Sequence, residues 1–351
     1  MGKLPADLLA RFFGSEAATA TSGDLVWGPG IGEDVAVAAV REGIVALKSD
    51  PITFTAEDIA RYAVIINAND MATSGAEPRW FLATVLLPVG TTGSEALRLL
   101  ADLARECRQA GIALAGGHTE ITDAVTRPVV SGSLVGTADR GQVLGKKGIS
   151  PGDRVLMTKR LAVEGTAVLV AELRNEPALR GLESEELERA AALGAGLSVT
   201  PEAALAAGHP GVTAMHDVTE GGLATALREL SVTAGRPVEA DPSLAPRYPE
   251  TDRLATVLGF DPLGLLGSGT LLITCRESAA GGLVRKLREA GIEATVLGRI
   301  LDGLVESPAG LLVDPEGAPW PEFEVDEIAR VLAEAGRPPP DESNGRQVPA
   351  R

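Results

Sequence analysis

The chain is expected to be an α/β (α+β) protein of two domains. The first would be a mixed sheet with helices on one face, and the second a further α/β unit. Three observations point there. Strand-length apolar runs alternate with helix-length runs through the first half, with one pair close enough for a hairpin. The chain has 351 residues, room for two domains of ordinary size, and 45% of them are hydrophobic, enough to bury a core in each. Midway, Pro151-Gly152-Asp153 is a turn signal that opens a new strand. The domains are therefore placed at 1–150 and 151–335.

The elements follow in order. A short helix is expected over 5–13. VAVAAV at 35–40 and IVALKSD at 44–50, separated by Gly43, predict a hairpin. EDIARYAVIINAND at 57–70 is apolar on most sides and predicts a buried helix. RWFLATVLLP reads as a strand stopped at Pro88. Thr92 and Glu95 form a capping-box pair, followed at helical spacing by Leu97, Leu100, Ala104 and Cys107, with Gly111 as the stop. Strands at 112–117 and 126–136 complete the first half. The second half is expected to hold helices near 164–174, 183–196 and 219–234. Its strands should lie near 212–216, 270–275, 294–300 and 310–314. The segment from 336, with three consecutive prolines and few apolar side chains, is expected to be a disordered tail, 336–351.

Composition excludes several roles. The formal net charge is -16, from 48 acids against 32 bases, a surface that repels a phosphate backbone, so nucleic acid is not an expected partner. A bound polyanion such as a nucleotide would need an accompanying divalent metal. Cys107 and Cys275 are the only cysteines, too few and too far apart for a disulfide framework, which suits a reducing compartment. The first residues lack the apolar core of a signal peptide, and no run of about 18 apolar residues that would span a bilayer is expected. No membrane and a cytoplasmic location are the expectations.

Two nucleotide motifs fail on spacing. GPGIGED at 28–34 lacks the GxGxxG pattern, and GQVLGKKG at 141–148 has one residue too few for a P-loop and a lysine where a metal-binding hydroxyl belongs. What remains is a set of acids at element ends: Glu33 and Asp34 before a strand, Asp50 after one, and Asp70 at the end of the buried helix, with Asn67 a turn earlier. Capping and turn hydrogen bonds account for any one of them. Together they suit a hard cation and the phosphates it brings. AGGHTE at 115–120 closes a strand with Gly116 and Gly117, whose amides can face an anion or simply make a tight turn. His118 has no partner legible in the sequence. In HDVTEGGL, Asp217 or Thr219 can cap the following helix, but Gly221 and Gly222 are poor helix formers, costing roughly 1 kcal/mol each relative to Ala. They suit either close packing on a strand or a phosphate at the helix N-terminus. His216 is expected to support the loop, and His209, in the turn AAGHPG, to be solvated. No GxSxG nucleophile signal is present.

GEDVAV, KSDPITF, NDMATSGAEP, AGGHTE, SPGDRVLMTK, HDVTEGGL and GSGTLLIT occur in this order over residues 30–300. The series resembles the superfamily of aminoimidazole ribonucleotide (AIR) synthase, thiamine-monophosphate kinase, selenophosphate synthetase and the hydrogenase maturation protein HypE, and within it the HypE branch. The resemblance implies a two-domain AIR synthase-like fold and a homodimer whose N-terminal sheets pair. ATP and Mg²⁺ would lie near the domain and subunit boundary. By the same likeness Asp34, Asp50 and Asp70 would hold the metal, with Asn69 beside them. Gly116 and Gly117 would sit by the phosphates, and Asp217, Gly221 and Gly222 would line the cleft.

The expected function is phosphorylation of an oxygen or nitrogen on a small or protein-bound substrate, in hydrogenase or metallocentre maturation. The sequence departs from HypE in ending QVPAR without the cysteine that carries the carbamoyl group, and in placing His118 where an acid is usual. The alternatives are a small-molecule kinase like thiamine-monophosphate kinase and a non-catalytic nucleotide-binding assembly partner. Nucleotide binding without turnover would mark the last.

Overall fold

Two six-stranded sheets carry the chain. The computed structural model describes residues 24–27, 30–53, 58–139, 143–176 and 179–335. The helix expected over 5–13 and the tail from 336 lie outside the described residues. The first sheet contains β1 (Leu25–Trp27), β2 (Ala36–Val40), β3 (Gly43–Ile52), β4 (Glu77–Pro88), β5 (Ala113–Thr122) and β6 (Val129–Ala138), in the order β1-β2-β3-β6-β4-β5. Only β4 and β5 pair in parallel; the other neighbours are antiparallel, so the sheet is mixed, and β2–β3 is the expected hairpin.

Helix α1 (Ile59–Thr73) and helix α2 (Gly93–Gln109) cover one face. The reason α1 packs so closely lies in β6, VVSGSLVGTA, whose inward positions alternate Val130, Gly132, Leu134, Gly136. A Cβ at Gly132 would lie 2.5 Å from Asn67 Nδ2, and one at Gly136 2.5 Å from Met71 Sδ. The two glycines thus form a groove for the helix. The capping box of α2 is present, but its buried stripe is Leu103 and Cys107, and Leu97 is 69% exposed. The helix is rotated from the stripe expected because Ala96, Leu99 and Leu100 supply the remaining contacts.

The strand expected to end at Gly117 runs on to Thr122. Gly116 and Gly117 are therefore inside β5 rather than in a turn after it. Gly117 is required by close approach to β4: a Cβ there would sit 1.9 Å from the Ala83 carbonyl oxygen.

The second sheet has the order β12-β9-β11-β7-β10-β8, from β7 (Arg154–Thr158), β8 (Val212–Asp217), β9 (Val238–Ala240), β10 (Leu271–Cys275), β11 (Ala294–Ile300) and β12 (Leu312–Val313). Its interior strand β10, LLITC, between β7 and the edge strand β8, is buried at every position, so helices must cover both faces. On one side lie α5 (Thr200–Ala207) and α8 (Glu277–Glu289), packed on Leu156, Met215 and Ile273. The other side carries α3 (Val163–Leu173), α6 (Gly222–Ala234) and α7 (Pro249–Leu258). α4 (Ser184–Ala192) and α9 (Glu327–Glu334) complete the unit.

Ser184–Ala207 is long and apolar enough to cross a membrane by length and composition, a stretch the sequence reading passed over. Here it is broken into α4, a 3-10 turn and α5. Ala190, Leu197, Val199 and Ala203 are buried in the protein core.

Candidate functional site

A cleft of about 240 Å³ opens between the two sheets. The first half of the chain lines it with Asp34 (before β2), Lys48 and Asp50 on β3, and Asp70 on α1. The second half adds Glu164 on α3, His216 and Asp217 at the end of β8, Glu229 on α6, and Ser268. Four of the predicted acids, Asp34, Asp50, Asp70 and Asp217, are thus brought to one place. Local structure explains how. Lys48 and Asp50 are two residues apart on one strand and so project on the same side. Asp70 reaches them because α1 lies in the glycine groove of β6, next to β3.

Asp34 is the best-partnered acid. His216 Nδ1 lies 2.7 Å from its Oδ1 and Lys146 Nζ 2.9 Å from its Oδ2. Lys146 belongs to a 3-10 turn, Lys146–Gly148, in the link between the sheets, and also donates to the Gly32 carbonyl. Burial would push the Asp34 carboxyl up, but His216 and Lys146 outweigh it and hold it well below the usual carboxylate range. His216 places its other nitrogen 3.1 Å from Glu229 Oε2. Burial and the neighbouring Lys146 lower this imidazole, yet Asp34 and Glu229 outweigh them and raise it overall, so its two nitrogens stand between two carboxylates. Lys146 Nζ is also 3.1 Å from His216 Nδ1, but that nitrogen faces the Asp34 carboxylate at 2.7 Å, which both groups share. His216 thereby ties the loop before β2 to α6, the supporting role expected of it.

Asp217 is the opposite case. It is 1% exposed, and neither carboxylate oxygen has a hydrogen-bond partner among the described residues. Burial first, then the charge of Asp34, raises its carboxyl to about 6. Asp70 is also pushed up, by burial and by Asp217, Asp34 and Asp50, although Lys48 opposes this. The cleft holds more negative charge than its own cations neutralise. A buried carboxylate with both oxygens unmatched is costly unless a ligand completes it. Ligand atoms of Asp34, His216 and Asp217 lie within 4.8 Å of one another. Because both ring nitrogens of His216 are taken by carboxylates, the oxygens are the donors left for a metal, and an all-oxygen set suits a hard divalent cation.

Other predicted site residues lie elsewhere. Asn69 clamps the chain ahead of α5, donating to the Leu197 carbonyl at 2.8 Å and accepting from the Val199 amide at 2.9 Å. It joins the two halves of the chain and does not line the cleft. Gly116 and Gly117 lie on β5, at the far edge of the first sheet, and within one copy of the chain line a separate hollow with Leu100 and Leu114.

Gly221 and Gly222 need correcting. Their amides do not face the cleft: that of Gly221 donates to Asp326 Oδ2 at 2.6 Å and that of Gly222 to the Thr219 carbonyl at 3.1 Å. Neither Asp217 nor Thr219 caps α6; Gly221 is the cap residue, with φ 77°. Gly222 has φ 62°, and a Cβ there would lie 2.6 Å from the Leu263 carbonyl. Close backbone packing explains the pair. Gly222→Ala is expected to lower stability by about 2–3 kcal/mol in urea denaturation, since strain at positive φ adds to the clash. A variant as stable as the parent would show that the Leu263 segment can give way. His209, expected in solvent, instead packs against Gly282 of α8 and keeps Nδ1 buried.

The sequence reading passed over Lys48, Lys146, Glu164 and Glu229. A signal existed for two of them: Lys48 shares the inward parity of Asp50 in IVALKSD, and Glu164 interrupts the apolar run LAVEGTAVLV. Lys146 and Glu229 find their partners only across the fold.

Residues 32–138 match the family model for the AIR synthase related protein N-terminal domain, and residues 150–307 match its C-terminal domain. The chain belongs to the AIR synthase related family. Carbamoyl dehydratase HypE of Rhodobacter capsulatus is 34% identical over 254 residues, 71% of this chain and 72% of that protein. A crystal structure of hydrogenase maturation protein HypE in complex with ATP superposes with a TM-score of 0.65 at 21% identity, covering 92% of this chain and 94% of the other. Thiamine monophosphate kinase from Aquifex aeolicus gives 0.64 at 18%, covering 82% and 92%. At these identities the two structures establish the shared AIR synthase fold alone.

Proposed function

We propose that the chain is a Mg²⁺-dependent, ATP-using enzyme of the HypE and AIR synthase type. It phosphorylates an oxygen or nitrogen of a small or protein-bound substrate, in hydrogenase or other metallocentre maturation. The observation that carries this reading is Asp217, a buried carboxylate with both oxygens unmatched among the described residues, facing Asp34 across a cleft that also holds Asp50 and Asp70. The 34% identity to a carbamoyl dehydratase supports the chemistry, and the relative solved with ATP supports the nucleotide.

These carboxylates fit Mg²⁺, and Asp34, Asp50, Asp70 and Asp217 would hold it. Bound there, the ion would neutralise phosphate charge and let a triphosphate enter so acidic a cleft. The residues of the chain supply position. His216 and Lys146 fix Asp34 in one orientation and keep it ionised at neutral pH. Glu229 holds the His216 ring from behind. Glu164 and Ser268 form the opposite wall, beside which an acceptor group can lie.

Asp34→Ala and Asp50→Ala are expected to abolish the Mg²⁺-dependent rise in melting temperature that ATP causes. Unchanged nucleotide binding in both variants would sink the assignment.

A homodimer belongs to the same reading. The face of the first sheet away from α1 and α2 leaves Leu47, Trp80 and Leu82 each about 40% exposed. Gly116, His118 and Glu120 continue that face in register with Leu82, Thr84 and Leu86. A second copy covering it would bury the apolar side chains and bring its own β5 edge toward the cleft region.

A further inference from the structure

Asp326 is 4% exposed, and its carboxylate accepts backbone amides from three places in the chain. Oδ2 takes the Gly221 amide at 2.6 Å. Oδ1 takes the Leu266 amide at 3.2 Å and, as the cap of α9, the Ile328 amide at 2.8 Å. The first two of these amides belong to the cleft. Gly221 follows Thr219 and Glu220, Leu266 precedes Ser268, and all four of these residues other than Gly221 line it. The two segments are joined, because the Gly267 amide donates to the Thr219 carbonyl at 3.2 Å. They also carry the first turn of α3: the Gly165 amide donates to the Leu266 carbonyl at 2.9 Å and that of Glu164 to the Ser268 carbonyl at 3.2 Å. One buried carboxylate thus stands behind the wall that the second half of the chain gives to the cleft. Its neighbours in sequence back the same wall. Glu327 Oε2 accepts the Asp261 amide at 3.2 Å, and a Cβ on Gly264 would lie 2.5 Å from the Phe323 ring.

We propose that Asp326 is a positioning residue for the candidate site, holding the backbone that presents Asp217 to the cation. The inference rests on the metal–nucleotide reading above and goes beyond it. It makes the C-terminal helix, past the residues 150–307 that the family model matches, a working part of the cleft.

No hydrogen bond among the described residues holds the Asp217 side chain, and the charge of Asp34 opposes its own. Its position therefore depends on its backbone. Pairing with Leu271 of β10 fixes the strand end. The chain then turns to Gly221, the cap of α6, where the Asp326 carboxylate holds it. Amide bonds to a carboxylate are charge-assisted and strong. Loss of such an outer partner lets a ligand carboxylate drift, and metal affinity falls. In Asp326→Asn the single oxygen can serve Gly221 or the Leu266–Ile328 pair, not both, and the new NH₂ group meets an N–H on the other side. The coupling is also reciprocal: if these bonds favour ligand binding, ligand must favour these bonds.

The test is Mn²⁺ affinity in the presence of the non-hydrolysable analogue β,γ-methylene-ATP, read from the EPR signal of free Mn²⁺. It is run at pH 8, where the Asp326 carboxyl, raised by burial to about 6, is ionised. Asp326→Asn is expected to weaken the affinity about 10- to 100-fold. Asp153→Asn is the control. Asp153 is 1% exposed and bonded to Arg276, Thr213 and the Ser150 amide, but lies at the opposite end of the sheet from Asp217, so the affinity should not change. Unchanged affinity in folded Asp326→Asn, or an equal loss in both variants, overturns the inference and leaves the metal–nucleotide reading standing. Hydrogen exchange on the wild type decides the matter however the variants fold. Mg²⁺ with the analogue should slow the Ile328 amide, in a helix that does not line the cleft, more than the amides of α8. An Ile328 amide slowed no more than those of α8 overturns the inference alone. Wild-type protein that binds no Mn²⁺ with the analogue overturns that reading and the inference with it.

Discussion

Asp217→Asn is expected to move stability and ligand response in opposite directions. Without ligand, the variant should be more stable than the parent by about 1–3 kcal/mol at pH 8, because it removes an ionised, buried carboxylate crowded by Asp34. The same change should eliminate the Mg²⁺-dependent stabilisation by ATP, because it removes the negative charge and replaces with an amide nitrogen one of the two oxygens unmatched among the described residues. Urea denaturation with and without Mg-ATP measures both effects. A functional site that stores unfavourable charge is expected to show this exchange of stability for binding. If the variant loses stability and keeps its response to Mg-ATP, Asp217 is an ordinary structural acid and the proposed site is wrong.

The second large effect is on pH dependence. Burial raises the Glu164 carboxyl to about 8, with the Ser268 hydrogen bond and neighbouring acids as smaller influences. A group whose folded pKa lies above its ordinary value stabilises the fold fully below the ordinary value and loses that contribution as pH rises through the folded one. For Glu164 the window runs from its ordinary 4.5 to about 8. Asp217 and Asp326, both raised to about 6 mainly by burial, act in the same direction in the acid half of that range. His216, also raised, adds to it as pH rises above its ordinary 6.5. Asp34 is depressed, so its contribution is lost only in strong acid, outside the window. Metal-free protein should therefore lose stability steadily from pH 5 to pH 8.5. Glu164→Gln should remove up to roughly 3–5 kcal/mol of that slope. The check is urea denaturation across pH in the presence of a chelator. An equal slope in wild type and Glu164→Gln would mean that Glu164 is solvated and ionised at neutral pH.

How far the site could be read in advance depended on the kind of residue. Acids at element ends stand out because an ionised side chain beside an apolar run demands a partner, and Asp34, Asp50 and Asp70 did so. Asp50 and Lys48 illustrate the limit. The same strand parity places both in the cleft, yet an isolated lysine in a strand is common enough to pass unmarked. Gly221 and Gly222 show the reverse. Two glycines at a helix start suit a phosphate or close packing equally well, and only the Leu263 carbonyl and the Asp326 carboxylate decide for packing. Asn69 behaved likewise: its neighbour Asp70 turns into the cleft, while Asn69, one residue earlier and about 100° around the helix, faces the chain ahead of α5.

The sequence by itself determined the class of the fold, the β2–β3 hairpin, the capped helix after Pro88 and the family. These follow from local periodicity, turn chemistry and ordered motifs, all of which act within a few residues or are counted along the chain. Tertiary structure alone decided which charges meet. Lys146 reaches Asp34 and His216 across 112 and 70 positions, and Asp326 reaches Gly221 across 105. Electrostatic partnership depends on distance and burial in space, and no local pattern encodes either. The excess negative charge around Asp217, which carries the functional reading, exists only once the two sheets close on each other.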